Sequence, residues 1–142
     1  MHKTAETDFD FSRFFAEIKT IAVVGYSDKP ERAGYFVAHY LVAQGYQVIG
    51  VNPKLTPLHD GVQVFASLAD IPDTVSVDVI DVFRAAPAVP AIAVASAEMN
   101  PKPKYFFMQP GAESEAGWQA ALDAGMIPIQ DTCMLAAHRD LG

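Results

Sequence analysis

The run Thr20-Ile21-Ala22-Val23-Val24-Gly25-Tyr26-Ser27-Asp28-Lys29-Pro30-Glu31-Arg32 decides the fold. Ile21 to Val24 form an apolar run too short for a helix and β-branched enough for a strand buried on both faces. Gly25 ends that run. A hydroxyl at Ser27, a proline at Pro30 and a cation at Arg32 follow, and a pattern of helical period then runs from Ala33 to Gln44. Pro30 suits the first turn of a helix, where its missing N–H would have had no partner. The stretch reads strand, tight turn, helix. That geometry directs unpaired backbone N–H groups and the positive end of a helix dipole at one point, which favours an anion such as a phosphate. Arg32 adds a planar donor fork beside it.

The same strand-glycine-turn-helix unit also opens α/β domains that bind nothing at that place. The dinucleotide fingerprint G-x-G-x-x-G is not met, because Ser27 and Pro30 stand where its later glycines would be. A standard dinucleotide site is disfavoured, and an anion site is not.

Working outward, residues 8 to 18 carry Phe9, Phe11, Phe14, Phe15 and Ile18, with Ser12 as the expected cap of a short helix covering one edge of the sheet. After the opening unit, Gly45 closes the helix expected from about Glu31 to Gln44, and residues 46–51 read as a second strand stopped by Asn52-Pro53. A short strand at Val62–Phe65, a capped helical turn at Ser67–Pro72 and a strand at Val77–Phe83 follow. An alanine-rich helix ends near Glu98. Lys104–Gln109 is the next strand, Glu113–Ala124 a helix, and Met126–Ile129 a last short strand before a terminal turn with Cys133 and His138. Alternation of this kind implies one α/β domain over residues 1–142, with residues 1–19 as a helical extension. The expected fold is Rossmann-like: a mostly parallel sheet of five or six strands with helices on both faces, in the order 3-2-1-4-5-6.

A chain of 142 residues, 51% hydrophobic, can bury a sizeable core in one domain. No apolar run approaches the roughly 20 residues of a bilayer span, and the first residues lack an apolar signal core, so a cytoplasmic protein is expected. Cys133 is the one cysteine, which leaves no intrachain disulfide, and the histidines at 2, 39, 59 and 138 show no metal-ligand spacing with it. A net charge of −7 opposes attraction to nucleic acid or an anionic membrane. An anionic ligand would therefore be held by local cations, and Lys29, Arg32 and Lys54 all lie in or just after the first βαβ unit.

In such a sheet ligands bind beyond the C-terminal strand ends, near the point where strand order reverses. Gly25-Tyr26-Ser27, Asn52-Pro53-Lys54, Phe83-Arg84 and Gln109-Pro110-Gly111 are the residues at those ends. An NAD site would place an acidic residue after the second strand to hold ribose hydroxyls. Lys54 suits a ribose phosphate instead, which both NADP and coenzyme A carry.

Gly25-x-Ser27-x-x-Pro30-x-Arg32, Tyr40-Leu41-x-x-x-Gly45-Tyr46-x-Val48, Val51-Asn52-Pro53, Ser67-Leu68-x-x-Ile71-Pro72, Val82-Phe83-Arg84, Gln109-x-Gly111 and Cys133 resemble the stand-alone CoA-binding domain proteins. These are similar to the N-terminal domain of the succinyl-CoA ligase α subunit. The resemblance covers nearly the whole chain from Thr20 onward. It implies that Gly25, Tyr26, Ser27 and Arg32 hold phosphates, that Asn52, Pro53 and Lys54 line the adenosine side, and that Phe83, Arg84, Gln109 and Gly111 border the pantetheine path. Lys29, a local cation of the same unit, is also expected to bind the cofactor. The chain departs from the family pattern at Gly34, where a small hydroxyl residue is frequent, and at Thr132, Ala136 and Ala137 near the terminal turn.

The leading expectation is a small protein that binds coenzyme A or an acyl-CoA without catalysis, with Cys133 as the candidate reactive thiol. Two alternatives stay open: an NADP-dependent reductase with a degenerate glycine loop, which Lys54 fits and Ser27 and Pro30 do not, and an interaction module that binds no ligand.

Overall fold

Short buried strands alternate with helices in the computed structural model, which describes residues 3–5 and 9–141. The elements in chain order are β1 (Lys3–Thr4), α1 (Phe11–Glu17), β2 (Thr20–Val24), α2 (Ala33–Ala43), β3 (Gln47–Val51), β4 (Leu58–His59) and β5 (Val62–Phe65). A 3-10 turn at Leu68–Asp70 precedes β6 (Val79–Val82), and another at Ala86–Ala88 leads into α3 (Val89–Ala97). Then come β7 (Tyr105–Met108), α4 (Glu115–Asp123), β8 (Ile127–Gln130) and α5 (Met134–Arg139).

One sheet joins all the strands in the order β1-β8-β7-β6-β2-β3-β5-β4. Its six inner strands pair in parallel, and counted among themselves they run 3-2-1-4-5-6, the Rossmann-like order that the alternation predicts. Among the described residues the sheet has eight strands rather than five or six. The two additional ones are two-residue edge strands: β1 pairs antiparallel with β8, and β4 antiparallel with β5. The N-terminal extension is thus part strand, part helix, and its residues 1, 2 and 6–8 lie outside the described residues.

Alternate side chains of each parallel strand enter two cores. Ile21, Val23, Val48, Val64, Val79 and Phe107 pack under α1, α2 and α5. Ala22, Val24, Ile49, Val51, Ile80, Val82 and Met108 pack on the opposite face with α3 and α4. The α1 helix lies on the first face rather than along an edge, with the Phe14 ring edge-on to Tyr105 of β7 at 4.8 Å between centroids. Its cap is Asp10, whose carboxylate accepts from the Ser12 and Arg13 N–H groups, so Ser12 is capped and does not cap. Asp78, expected inside the strand at Val77–Phe83, stands just before β6 and its carboxylate accepts from the N–H groups of Lys19 and Thr20, which joins the starts of β2 and β6. Among the described residues no helix is long and apolar enough to cross a membrane.

Candidate functional site

The opening unit folds around Gly25. Its φ of +93° suits glycine, and a Cβ there would meet the Phe83 carbonyl oxygen at 2.7 Å, so the end of β2 lies tightly against the end of β6. Beyond it Ser27 Oγ accepts from the Lys29 N–H at 3.1 Å. Pro30 stands inside a turn closed by the bond from Arg32 N–H to the Lys29 carbonyl at 2.9 Å, one step earlier than the first helical turn expected of it. Arg32 is the N-cap of α2, and no side chain caps the helix there. The Tyr35 N–H turns back to the Arg32 carbonyl at 2.9 Å, and Ala33 and Gly34, the first two residues of the helix, line the crevice with no side-chain cap. The tight packing that the fingerprint's last glycine supplies is present after all, further along at Gly34, where a Cβ would stand 2.4 Å from the Gly25 carbonyl oxygen.

The end of β3 is tied to that turn by one side chain. Asn52 Nδ2 donates to the Tyr26 carbonyl at 2.8 Å, and its Oδ1 accepts from the Lys54 N–H at 2.9 Å. The Tyr26 ring is fully buried over Gly50, where a Cβ would come within 2.8 Å of it. Its hydroxyl lies 2.8 Å from His39 Nε2 and 3.3 Å from the His59 carbonyl, which accepts from it. Burial first, then the nearby Asp60 charge, pushes the phenol up to about 12. Burial also holds His39 below the ordinary histidine value. These two histidines look scattered in sequence, and the fold brings both to one tyrosine. A pointer exists in the chain: Tyr35 and His39 are a helical turn apart, and their rings are 4.0 Å apart on α2, with Tyr35 donating to Asp60 beside His59.

Phe83 and Arg84 follow β6, and Pro110 and Gly111 follow β7, with Gly111 at φ +96° and its N–H donating to Glu113. These residues, with Gly25, Tyr26, Ser27, Lys29, Arg32, Asn52, Pro53 and Lys54, line one pocket of about 770 Å³. Gln109 is not among the lining residues. It is 2% exposed and donates through Nε2 to the buried Asp81 at 2.5 Å, so its side chain works beneath the pocket. Cys133 is not in the lining either. It is half-buried at the N-cap of α5, its Sγ accepting from the Ala136 N–H at 3.3 Å.

The pocket's electrostatics oppose those of the whole molecule. Its lining carries Lys29, Arg32, Lys54 and Arg84 against a single acid, Asp28, four positive charges less one negative for a local sum of +3. The whole chain has a net charge of −7. Among the described residues none of the four cations is in an ion pair. Exposed cations that share one concave surface with a helix start are available to a polyanion. Among the described residues no group of three His, Cys, Asp or Glu side chains is placed to hold a metal ion.

Residues 19–139 match the CoA binding domain family. A curated relative, the uncharacterized protein YneT of Bacillus subtilis (strain 168), is 33% identical over 120 residues, which is 84% of this chain and 85% of that protein. A solved structure of a hypothetical protein from Pyrococcus horikoshii OT3 superimposes with a TM-score of 0.88 at 30% identity, covering 97% of this chain and 94% of that one. The apo form of an acetyl-coenzyme A synthetase from Ca. Korarchaeum cryptofilum shares the fold at a TM-score of 0.65 and 23% identity. The superposition covers 82% of this chain and 26% of that enzyme. The protein described here belongs to the CoA binding domain family.

Proposed function

We propose that this is a cytoplasmic protein that binds coenzyme A or an acyl-CoA in the strand-end pocket, with no chemistry of its own. The carrying observation is the concentration of Lys29, Arg32, Lys54 and Arg84, free of ion pairs among the described residues, around one crevice of an otherwise acidic chain. In this reading the phosphates lie against Ser27, Lys29, Arg32 and the uncapped start of α2. Tyr26 serves as wall, since its hydroxyl is engaged by His39. The adenosine end lies at Asn52, Pro53 and Lys54, and the pantetheine arm passes Phe83, Arg84 and Gly111. Gln109 supports that arm's path from below and does not touch it. Family membership supports coenzyme A as the polyanion. The reading without catalysis is supported by Ser27, whose Oγ accepts from the Lys29 N–H and, among the described residues, has no hydrogen-bonded base to activate it.

Thermal unfolding with coenzyme A, NAD and NADP tests the proposal. A ligand at a hundred times its dissociation constant adds about 2.7 kcal/mol to a folded state that alone binds it, a readable shift in a domain of this size. Coenzyme A should raise the midpoint and the two dinucleotides should not. Stabilisation by NADP with none by coenzyme A would overturn the proposal in favour of a reductase, and no shift with any of them would favour an interaction module.

A further inference from the structure

Asp81 is fully buried in β6, in the middle of the sheet. Its Oδ1 accepts from Gln109 Nε2 at 2.5 Å, and its Oδ2 has no hydrogen-bond partner among the described residues. Asp81 stands opposite Phe107 in the parallel register, so Gln109, two residues on, is its diagonal neighbour on the same face. The pair therefore joins β6 and β7 just before each strand passes its loop to the pocket, Phe83 and Arg84 from one and Pro110 and Gly111 from the other.

A charge is badly served in that place. A carboxylate has several acceptor sites, and here one neutral amide serves one oxygen. Burial pushes the Asp81 carboxyl up to about 8, with the Gln109 hydrogen bond pulling the other way. The elements packed on that face carry Arg13 and Glu17 on α1, His39 and Tyr40 on α2, and His138 and Arg139 on α5, with Tyr26 and Tyr105 from the neighbouring strands. None of these is among the causes of the shift, which are burial and Gln109.

We propose that Asp81 is a positioning residue of the pocket, whose neutral carboxyl, held by Gln109, sets the spacing between the Phe83–Arg84 and Pro110–Gly111 loops. The proposal deepens the ligand reading above and rests on the same pocket. With the proton in place, one hydrogen bond fixes two strand ends. When the proton leaves, a poorly solvated charge stands inside the sheet, and the strand ends part to let water reach it. Both loops move with them, so loop protection and polyanion affinity fall together as pH passes the Asp81 titration.

The test compares wild type with Asp81→Asn, which keeps the shape and the acceptor for Gln109 and has no proton to lose. Amide exchange of Phe83, Gly111 and Ala112, whose N–H groups are hydrogen-bonded, is measured without ligand, as protection factors corrected for intrinsic rates, at about pH 6.5 and about pH 9.5, on either side of the titration. Wild-type protection should fall about tenfold or more, the equivalent of one pH unit of linkage, while the variant falls less than about twofold. An equal fall in both proteins, or none in either, overturns the proposal. Calorimetry with coenzyme A on the same pair should show the same divergence in affinity, since titration of the ligand and of other side chains affects both proteins alike. Coenzyme A that binds neither protein refutes the ligand reading and leaves the exchange comparison to decide the role of Asp81. If Asp81→Asn does not fold, Gln109→Leu decides: without the one hydrogen bond that ties the two strand ends, loop protection at about pH 6.5 should already be about tenfold or more below that of wild type, and protection equal to wild type at that pH overturns the proposal.

Discussion

Gly34 in the first turn of α2 approaches Gly25 so closely that a Cβ would stand 2.4 Å from the Gly25 carbonyl oxygen. The obstacle is backbone at the end of a central strand, so the helix start must retreat to admit even a methyl group. Overpacking of this kind costs about 1–3 kcal/mol, against which alanine's better helix propensity restores about 1 kcal/mol. Gly34→Ala should lower the midpoint of urea unfolding and weaken coenzyme A binding together, because the displaced turn lines the pocket. A variant with wild-type stability and affinity would show that α2 shifts freely at this end.

That contact also marks where the sequence stops being readable. The parallel order of the six inner strands follows from buried β-branched runs alternating with helical patterns, and the topology alone then brings their C-terminal ends together. Two-residue strands such as β1 and β4 have no period to detect, which is why the sheet is wider than its sequence suggests. Gly34 lies beyond the fingerprint's window, so the glycine needed for close helix packing was invisible to a motif count. Tyr26 and Gln109 sit at the strand ends as expected, but position does not give direction: one ring turns under Gly50 and one amide turns down to Asp81. His39 and His59 meet at the Tyr26 hydroxyl through the crossover and the β4 edge; the Tyr35–His39 spacing on α2 points to the first, and no local spacing reports the second.

The buried carboxyl of Asp81 makes stability depend on pH in a definite direction. Burial raises it to about 8 from an ordinary value of 3.8. Between those values the folded chain keeps a proton that the unfolded chain has released, so stability falls as pH rises, by up to about 1.4 kcal/mol per pH unit, and levels off above the folded value. The contribution is complete below the unfolded value and is lost as pH climbs through about 8. Asp81→Asn removes this term. Urea unfolding of both proteins from pH 5 to pH 9 should give curves whose separation widens in the variant's favour up to about pH 8 and then stays constant. Parallel curves across the range would mean that Asp81 is ionised in the folded protein at neutral pH.

Arg32 is exposed at the N-cap of α2 and makes no side-chain capping bond. Its replacement should leave the fold nearly intact and act on the ligand. Removing a charge-assisted contact to phosphate costs about 1.5–3 kcal/mol, with the lower end fitting a site open to solvent. Arg32→Ala should therefore bind coenzyme A roughly tenfold or more weakly while its unfolding midpoint stays near that of wild type. Loss of the fold with normal binding by the residual folded fraction would make Arg32 structural.

Lys54 discriminates among the ligands that fit the pocket. Its N–H is held by Asn52 Oδ1, and Asn52 is in turn tied to the Tyr26 carbonyl, so the backbone that carries the lysine is fixed at the pocket rim. The side chain is exposed and is in no ion pair among the described residues. At the end of the second strand a lysine acts as a point charge for the 3′-phosphate that coenzyme A has and dephospho-coenzyme A lacks. No acid stands beside it to hold free ribose hydroxyls: Asn52 and Pro53 precede it. Wild type should prefer coenzyme A over dephospho-coenzyme A by roughly 1 kcal/mol, the scale of an exposed charge pair, and the preference should shrink as ionic strength rises. Lys54→Ala should abolish most of that preference and leave dephospho-coenzyme A binding nearly unchanged. If calorimetry instead finds the same discrimination in wild type and variant, another cation holds the 3′-phosphate. Arg84 is then the residue to replace next, because it is the lining cation left outside both the Lys29–Arg32 turn and the Asn52–Lys54 strand end.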